Sequence, residues 1–599
     1  MKINFAILKQ NDFKLSEKTN GITLYVSFGL LLTISLSYFL YFGKGLFFCI
    51  ENSSLFIFSK DYLFDYLLKP GGLLEYLGNF ITQGYCSRIY GSLIVTLFLV
   101  LSATMFIRIC RLLSTHIPEW LILILIPSCL LLLIQMRPDN RVHHTLGYLL
   151  VVYYFLITLI FETKRLSLLT LVLFPLFFYI TGSFALVFTI IYIDYCLVYK
   201  KGPSRYLLPG IMILVSVFTF LLFERILFLQ PHGMSLRYPL PLIAEVGLHP
   251  IDIFLCCYLV LYPLIIKITA SIKPGERFSR LVLQTGLILV ISATLLVMTK
   301  LYDPEFEKYT QFETNFIDRE WDEIIRQHEE DPSKSVIGQY YYNLALAGEG
   351  QLCNRMFFGS QDFGTESLIL PREPEFINRS VYFYYTVGLI NEAHHLAYES
   401  MVKYGYRPEN IKMLVKTEII TGNFKSAERY LEILRETFRY RKWANTYIQM
   451  LNEPALILAD PDLGEKIKLL PRKDFFLSRD NAANLDYMLL SNPDNAIALE
   501  YKMAWFLLKK DYKAVVNQVK RLKDVNYSYI PRHIGEAVML FMDSDLELPY
   551  LGDFTVDRET ENLYKQYVRA SEIAKNETEF KNITDTSLEK TFWYYYEFK

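Results

Sequence analysis

The sequence is short of the residues that build metal sites and disulfide frameworks. It has eight cysteines among 599 residues, no CxxC and no Cys/His set at ligand spacing, which argues against a structural zinc or iron–sulfur centre. Only Cys353 lies beyond residue 300, so the second half must fold without an internal disulfide; Cys49 and Cys86 share one loop and are read as free thiols. An excess of either charge is also missing. The 61 basic residues face 62 acidic ones, so there is no dense basic surface to neutralise phosphates, and no nucleic-acid partner is expected. No GxxxxGK[ST] or GxSxG occurs, which leaves a P-loop ATPase and an α/β-hydrolase without support. No metal and no cofactor are expected.

What the chain has in quantity is apolar surface. Hydrophobic residues make up 52% of it and aromatic ones 16%, too much for an ordinary water-soluble chain of this length. The average hides two unlike halves. Up to about Met298 long apolar runs alternate with short polar breaks; after Lys300 charges recur every few positions. The expected fold class is therefore all-α: a polytopic transmembrane bundle over residues 21–300, followed by a helical domain over 301–599.

A spanning helix needs about 20 mainly apolar residues. Nine segments qualify: Ile22–Phe42, Ile89–Ile109, Glu119–Gln135, Thr145–Phe161, Leu166–Thr181, Ser183–Tyr199, Tyr206–Phe223, Ile251–Ile268 and Leu281–Thr299. The two flanking Gly182 are short and read either as two crossings or as one broken unit. Charge asymmetry sets the orientation. With residues 1–20 in the cytoplasm, the inside segments hold Lys2, Lys9, Lys14 and Lys18, then Arg108 and Arg111, Lys164 and Arg165, Lys200, Lys201 and Arg205, and lastly Lys267, Lys273, Arg277 and Arg280. Nine crossings then put the second half outside. The expected location is a bacterial inner membrane, multi-pass, with a periplasmic C-terminal domain and the lipid bilayer as first partner.

The first outer loop, residues 43–88, carries polar residues at every fourth position: Asp61, Asp65 and Lys69, then Glu75, Asn79 and Gln83. Pro70-Gly71-Gly72 separates the two stripes. Two helices with narrow polar stripes, too short to span, are expected to lie in the membrane interface. The alternative is a plain cap on the bundle. In the second half the apolar spacing is helical, and Gly388, Ile390 and Ala393 recur as Gly422, Phe424 and Ala427. That offset of about 34 residues is the tetratricopeptide period. Weaker copies at Gly350/Leu352 and Asp511/Tyr512 predict a degenerate TPR-like array; the alternative is an irregular helical domain with a chance match. The aromatic run Phe592 to Tyr596 is expected to dock back on the domain or to touch lipid headgroups.

Candidate chemistry gathers in Gln135 to His144, at the end of two neighbouring spans. Ionisable groups at that depth are costly unless they meet water, each other or a substrate. Arg137, Arg141, Arg88 and Arg225 suit a lipid phosphate, which arginine grips through paired charge-assisted hydrogen bonds. Asp61, Asp65 or Glu51 could take a proton from an acceptor. Asp139, His143 and His144 complete the polar set, with His232, Arg237, Glu245 and His249 in the loop before the eighth span. The plainer reading of the arginines is headgroup anchoring, with Asp139 as local counter-ion. Asp194 reads as a helix-end residue that snorkels.

Two resemblances follow. The segments Gln339 to Phe357, Lys69-Pro-Gly-Gly-Leu-Leu-Glu-Tyr76 and Arg137-Pro-Asp-Asn140 resemble a family of uncharacterised polytopic membrane proteins of Gram-negative gut bacteria, which implies an inner-membrane home and a periplasmic helical half. The layout of a cytoplasmic start, a long first outer loop with interface helices, many spans and an outer domain resembles the C-type (GT-C) integral-membrane glycosyltransferases. That likeness implies a polyprenyl-phosphate-linked sugar as donor, Asp61 or Asp65 as base, and Arg137 and Arg141 as the phosphate grip. The chain departs from the pattern in having no paired acids directly after the first span. The leading expectation is a glycosyltransferase; the alternative is a non-enzymatic scaffold whose repeats bind a periplasmic protein.

Overall fold

The computed structural model describes residues 26–113, 122–164, 166–231, 233–243, 247–271, 276–544, 547–574 and 576–599. The expected cytoplasmic stretch 1–20 lies outside these residues, as do Arg165, His232, Glu245 and Lys273. The described chain is helical apart from one two-residue antiparallel pair, Leu242–Ile243 with Gly247–Leu248. It forms two compact units that divide between Asp303 and Pro304.

The first unit begins with α1 (Val26–Phe42) and α2 (Lys44–Asn52), which meet at a 76° bend. Two short helices follow, α3 (Lys60–Leu67) and α4 (Gly72–Thr82), and then α5 (Arg88–Leu113) and α6 (Ile122–Gln135). The rest of the unit is α7 (Val142–Thr163), α8 (Leu168–Thr181), α9 (Phe184–Tyr199), α10 (Ser204–Leu221), α11 (Met234–Arg237), α12 (Pro250–Ser271) and α13 (Glu276–Leu301). Each of the nine expected apolar segments contains a helix. Five described helices are long and apolar enough to cross a membrane, or six if the bent α1–α2 pair is one span; α6, α8 and α9 are apolar but shorter. These helices are compatible with a membrane protein.

The segment about Gly182 is a hairpin. Glu162, near the end of α7, pairs with Lys200, just past the end of α9, so both helices finish at one end of the bundle. The α8–α9 turn lies at the other end, where Ser183 N–H donates to Tyr238 O (3.1 Å) and Gly71 N–H to Tyr179 O (2.8 Å). Gly71 and Gly182 both have positive φ. A Cβ on either would stand 2.7 Å from Pro239 Cδ, so only glycine lets these three loops touch. Their junction fixes α3 and α4 against the hairpin.

The second unit opens with α14 (Pro304–Ile317), α15 (Trp321–Glu330), α16 (Val336–Gly348) and α17 (Leu352–Arg355). An ordered run of α18 (Ile377–Thr386), α19 (Ile390–Tyr404), α20 (Pro408–Ile420), α21 (Phe424–Arg435) and α22 (Arg441–Asn452) packs each helix on the next. Then come α23 (Pro454–Ala459), α24 (Leu463–Leu469), α25 (Asn481–Ser491), α26 (Ala496–Leu508), α27 (Tyr512–Gln518) and α28 (Arg532–Met542). The last four are α29 (Arg558–Ile573), α30 (Glu577–Ile583), α31 (Thr586–Glu589) and α32 (Phe592–Phe598). Side chains of Asn495, Asp511, Asp557, Asn576 and Thr591 accept amide hydrogens at helix starts, which satisfies donors that a helix leaves open.

One joint recurs. At Arg319, Gly350, Gly388, Gly422 and Lys510 the backbone has positive φ. The following amide then reaches back five residues: Glu320 to Asn315, Gln351 to Leu346, Leu389 to Tyr384, Asn423 to Glu418 and Asp511 to Phe506, at 2.8 to 2.9 Å. This hydrogen-bond pattern closes one helix and launches the next. Ala393 and Ala427, five residues past two of the joints, are fully buried where paired helices meet.

The aromatic tail docks on its own unit. Trp593 is fully buried; its Nε1 donates to Glu536 O (2.7 Å), and Phe592 N–H donates to Glu536 Oε2 (2.7 Å). Deeper in the unit, Glu500 is buried against Tyr527, which donates to its carboxylate. Burial pushes the Glu500 carboxyl up to about 7, against the opposing pull of the Tyr527 and Leu352 hydrogen bonds. A free carboxyl titrates near 4.3, so between about pH 4 and about pH 7 the folded chain holds a proton that the unfolded chain has lost. Stability from this group falls as pH rises through that window. Burial holds His328 down at about 4, which acts in the opposite sense: stability rises as pH climbs from about 4 to about 6.5. Glu500→Gln should therefore melt with the parent near pH 4 and outlast it at pH 8 by up to about 3 kcal/mol. Thermal melts across that range decide it, and a difference independent of pH rules the account out.

Candidate functional site

The site is built on α3, α4 and the loop before α12. Ser59 caps α3 by accepting from Tyr62 N–H, and the four-residue spacing then splits the helix into two faces. Asp61 and Asp65 lie on the exposed face. Tyr62 and Tyr66 lie on the inner face, where their hydroxyls meet at 3.1 Å; Tyr62 also donates to Leu55 O, and Asn79 of α4 donates to Tyr66 at 3.0 Å. Tyr76 joins them, with ring centroids 5.9 and 5.8 Å from Tyr62 and Tyr66.

Beside this aromatic wall Lys69 Nζ stands 2.9 Å from Glu75 Oε2, and the Tyr238 hydroxyl donates to the same oxygen. The ammonium also lies over two rings, 4.4 Å from the Tyr238 centroid and 5.0 Å from that of Tyr66, within cation–π range. Burial, reinforced by the Glu75 charge, holds the Tyr238 phenol far above its ordinary value, and burial does the same for Tyr66. Both phenols stay protonated donors. Glu75 is about a quarter exposed, so its carboxylate is reachable.

The Arg137 to His144 segment falls into two parts. Arg137 is buried and fully engaged: Nη1 donates to Asp252 Oδ2 at 2.6 Å, and its other nitrogens to Asp139. Asp252, in the first turn of α12 and 1% exposed, also accepts from the Tyr148 hydroxyl at 3.1 Å. Arg141 turns the other way. Its guanidinium donates to Ser53 Oγ and feels the carboxylates of both Glu75 and Asp139. His143 and His144 are buried; His144 Nδ1 accepts the Arg141 amide, and a Cβ on Gly78 of α4 would stand 2.7 Å from His143 Cβ.

The remaining candidates stand on other elements. Glu51 is buried in α2, Arg88 is exposed at the start of α5, and Arg225 is exposed with its Nε 4.0 Å from Glu224. Asp194 accepts from the Leu264 amide at 3.1 Å, next to Pro263, where the helix ladder of α12 is interrupted. Of the expected set, Arg141 is a cation whose charge interacts with a carboxylate of the α3–α4 segment. That carboxylate is Glu75. Asp61 and Asp65 stand on the exposed side of α3, and Arg137 serves a buried ion pair.

Residues 20–599 match the model of a family of unknown function (DUF6057). The chain belongs to that family. No curated protein and no solved structure matches it. The match runs through both compact units, so the apolar helices and the helical array are one family architecture. The description carries no activity, and function in this DUF6057 chain has to be read from geometry.

Lys69, Glu75, Tyr238 and Asp252 are the residues that sequence reasoning passed over as site members. Two signals pointed to them. Lys69 and Glu75 bound the Lys69 to Tyr76 segment that carries the family likeness, and Asp252 is an ionisable residue inside an expected span, which on energetic grounds requires a partner. Tyr238 gives no such signal, because its partner is 163 positions away.

Proposed function

We propose that this chain is an integral-membrane glycosyltransferase that uses a lipid-phosphate-linked sugar, with Glu75 as the base. On this reading the chain crosses the bilayer nine times from a cytoplasmic start, with α6, α8 and α9 as short crossings, and the second unit is periplasmic. The basic inside segments and the α8–α9 hairpin support that topology. The single observation that carries the activity is the Glu75 cluster, where a reachable carboxylate stands beside the ammonium of Lys69 and within the field of Arg141. Glu75 would take the proton of an acceptor hydroxyl as its oxygen attacks the anomeric carbon. The bond from that carbon to the phosphate oxygen breaks, and the lipid phosphate leaves with its charge met by Arg141 and Lys69.

Glu75→Gln keeps an acceptor for Tyr238 and removes the base. Transfer of labelled sugar in membranes should fall about a hundredfold, while Asp61→Asn and Asp65→Asn retain it. Full transfer by the Glu75 variant, at unchanged melting temperature, sinks the reading.

A second reading has its own observation. The five recurring joints produce stacked helical hairpins, and on the inner helices ion pairs and rings line up: Arg379 with Glu313, Lys412 with Glu409, and Lys416 with Asp462, beside Tyr385, Tyr440 and Tyr447. We read these hairpins as a TPR-like array, which supports a scaffold that holds a periplasmic protein along one face.

A further inference from the structure

The α21–α22 corner carries a concentration of charge that the Glu75 cluster does not use. Between Arg435 and Lys442 the chain holds four cations, Arg435, Arg439, Arg441 and Lys442, against one acid, Glu436. α22 packs on the unit through Ala444 and Tyr447. Its opposite face presents Arg441, Lys442, Asn445, Thr446 and Gln449, all exposed, in a stripe about two turns long. Phe438, 80% exposed, stands at the end of that stripe. Together these six residues line a solvent-open cavity of about 430 Å³.

The lining has a direction. Arg441 is tethered by its Nε, which donates to Arg435 O at 3.0 Å, and it lines the cavity together with Lys442. Neither forms an ion pair within the chain among the described residues. That end suits an anion with several oxygens. One and two turns along, the Asn445 and Gln449 side-chain amides offer paired donors and acceptors, as hydroxyl-bearing groups require. An exposed phenylalanine is costly to leave in water and supplies one flat apolar wall.

We infer that this cavity is a binding site for a phosphorylated sugar, with the phosphate on Arg441 and Lys442, hydroxyls on Asn445 and Gln449, and the ring against Phe438. Binding here is read directly and does not pass through Glu75, so the site stands or falls independently of the transferase reading.

The test uses the full chain in detergent micelles and titration calorimetry with glucose 1-phosphate, glucose and inorganic phosphate, together with flotation on phosphatidylglycerol vesicles. Glucose 1-phosphate should bind, and more tightly than glucose or phosphate. Arg441→Ala with Lys442→Ala should weaken it about tenfold or more, and Phe438→Ala should weaken glucose 1-phosphate while leaving phosphate unchanged. Glu75→Gln should bind as the parent does. All these positions on α22 and its corner are exposed, so melting temperatures should not move. No binding by the parent, or binding indifferent to the three substitutions, overturns the inference. So does equal affinity for phosphate with a silent Phe438→Ala, which marks a bare anion site. Flotation that depends on the same three residues, without glucose 1-phosphate binding, marks a membrane-docking patch and overturns it too.

Discussion

Arg137→Ala should cost the first unit about 3–5 kcal/mol. The guanidinium is shared by two carboxylates of unlike standing. Asp139 is half-exposed and can turn to water, whereas Asp252 is sealed in the first turn of α12. Removing the arginine leaves Asp252 with the Tyr148 hydroxyl and the positive end of its helix as its remaining support, which is too little for a buried charge. Asp139→Ala should cost less than about 1 kcal/mol, as surface pairs do. The informative variant is Arg137→Met with Asp252→Leu, which deletes both buried charges and should be much less damaged than Arg137→Ala alone. Thermal unfolding in micelles orders the four proteins, and an Arg137→Ala chain that melts with the parent defeats the account. The same pairing ties Arg137 to the first turn of α12.

Trp593→Ala should cost the second unit about 3–5 kcal/mol. The indole is surrounded by Tyr564, Tyr567 and Phe580, and its Nε1 hydrogen bond falls on the Glu536 carbonyl. Glu536 is fully buried and also accepts from Arg532 Nε at 3.0 Å, His533 Nδ1 at 2.8 Å and the Phe592 amide. Loss of the indole therefore opens a cavity and loosens the carboxylate that ties α28 to α32. Limited proteolysis should cut α32 first in the variant, before any other helix. Phe476→Ala is the control: at 98% exposure it should stay within about 0.5 kcal/mol of the parent. Equal stability of the Trp593 and Phe476 variants would show that the tail does not hold this unit together.

Helix content was legible because apolar runs and 3.6-residue spacing are local. Each of the nine apolar segments contains a helix, and Gly388 and Gly422 announced their joints because the left-handed backbone there favours glycine. Arg319 and Lys510 make the same joint without glycine, so the period was blurred at two of five positions. The site was harder to read for a related reason. Spacing correctly placed Asp61 and Asp65 on one stripe of α3, but a stripe does not say which way it faces; the tyrosines between them took the inner side. Tyr238 and Asp252 are joined to Glu75 and Arg137 over more than a hundred residues, a distance that no periodicity spans.

The 14-residue length of α8 has a consequence for the lipid around it. Such a helix rises about 21 Å, against a hydrocarbon thickness of about 30 Å. Leu168, Val172 and Leu176 of α8 are each more than half exposed, so one face of this helix is left uncovered. On the proposed nine-span reading a bilayer meeting it must dip to match, because mismatch costs a fraction of a kcal/mol for each ångström left uncovered. The dip falls at the Gly182 turn, where Gly71 and Pro239 hold Lys69 and Glu75 in place. On that reading headgroups there would ride lower than elsewhere, and the proposed lipid-linked phosphate would reach the carboxylate sideways, without leaving its leaflet.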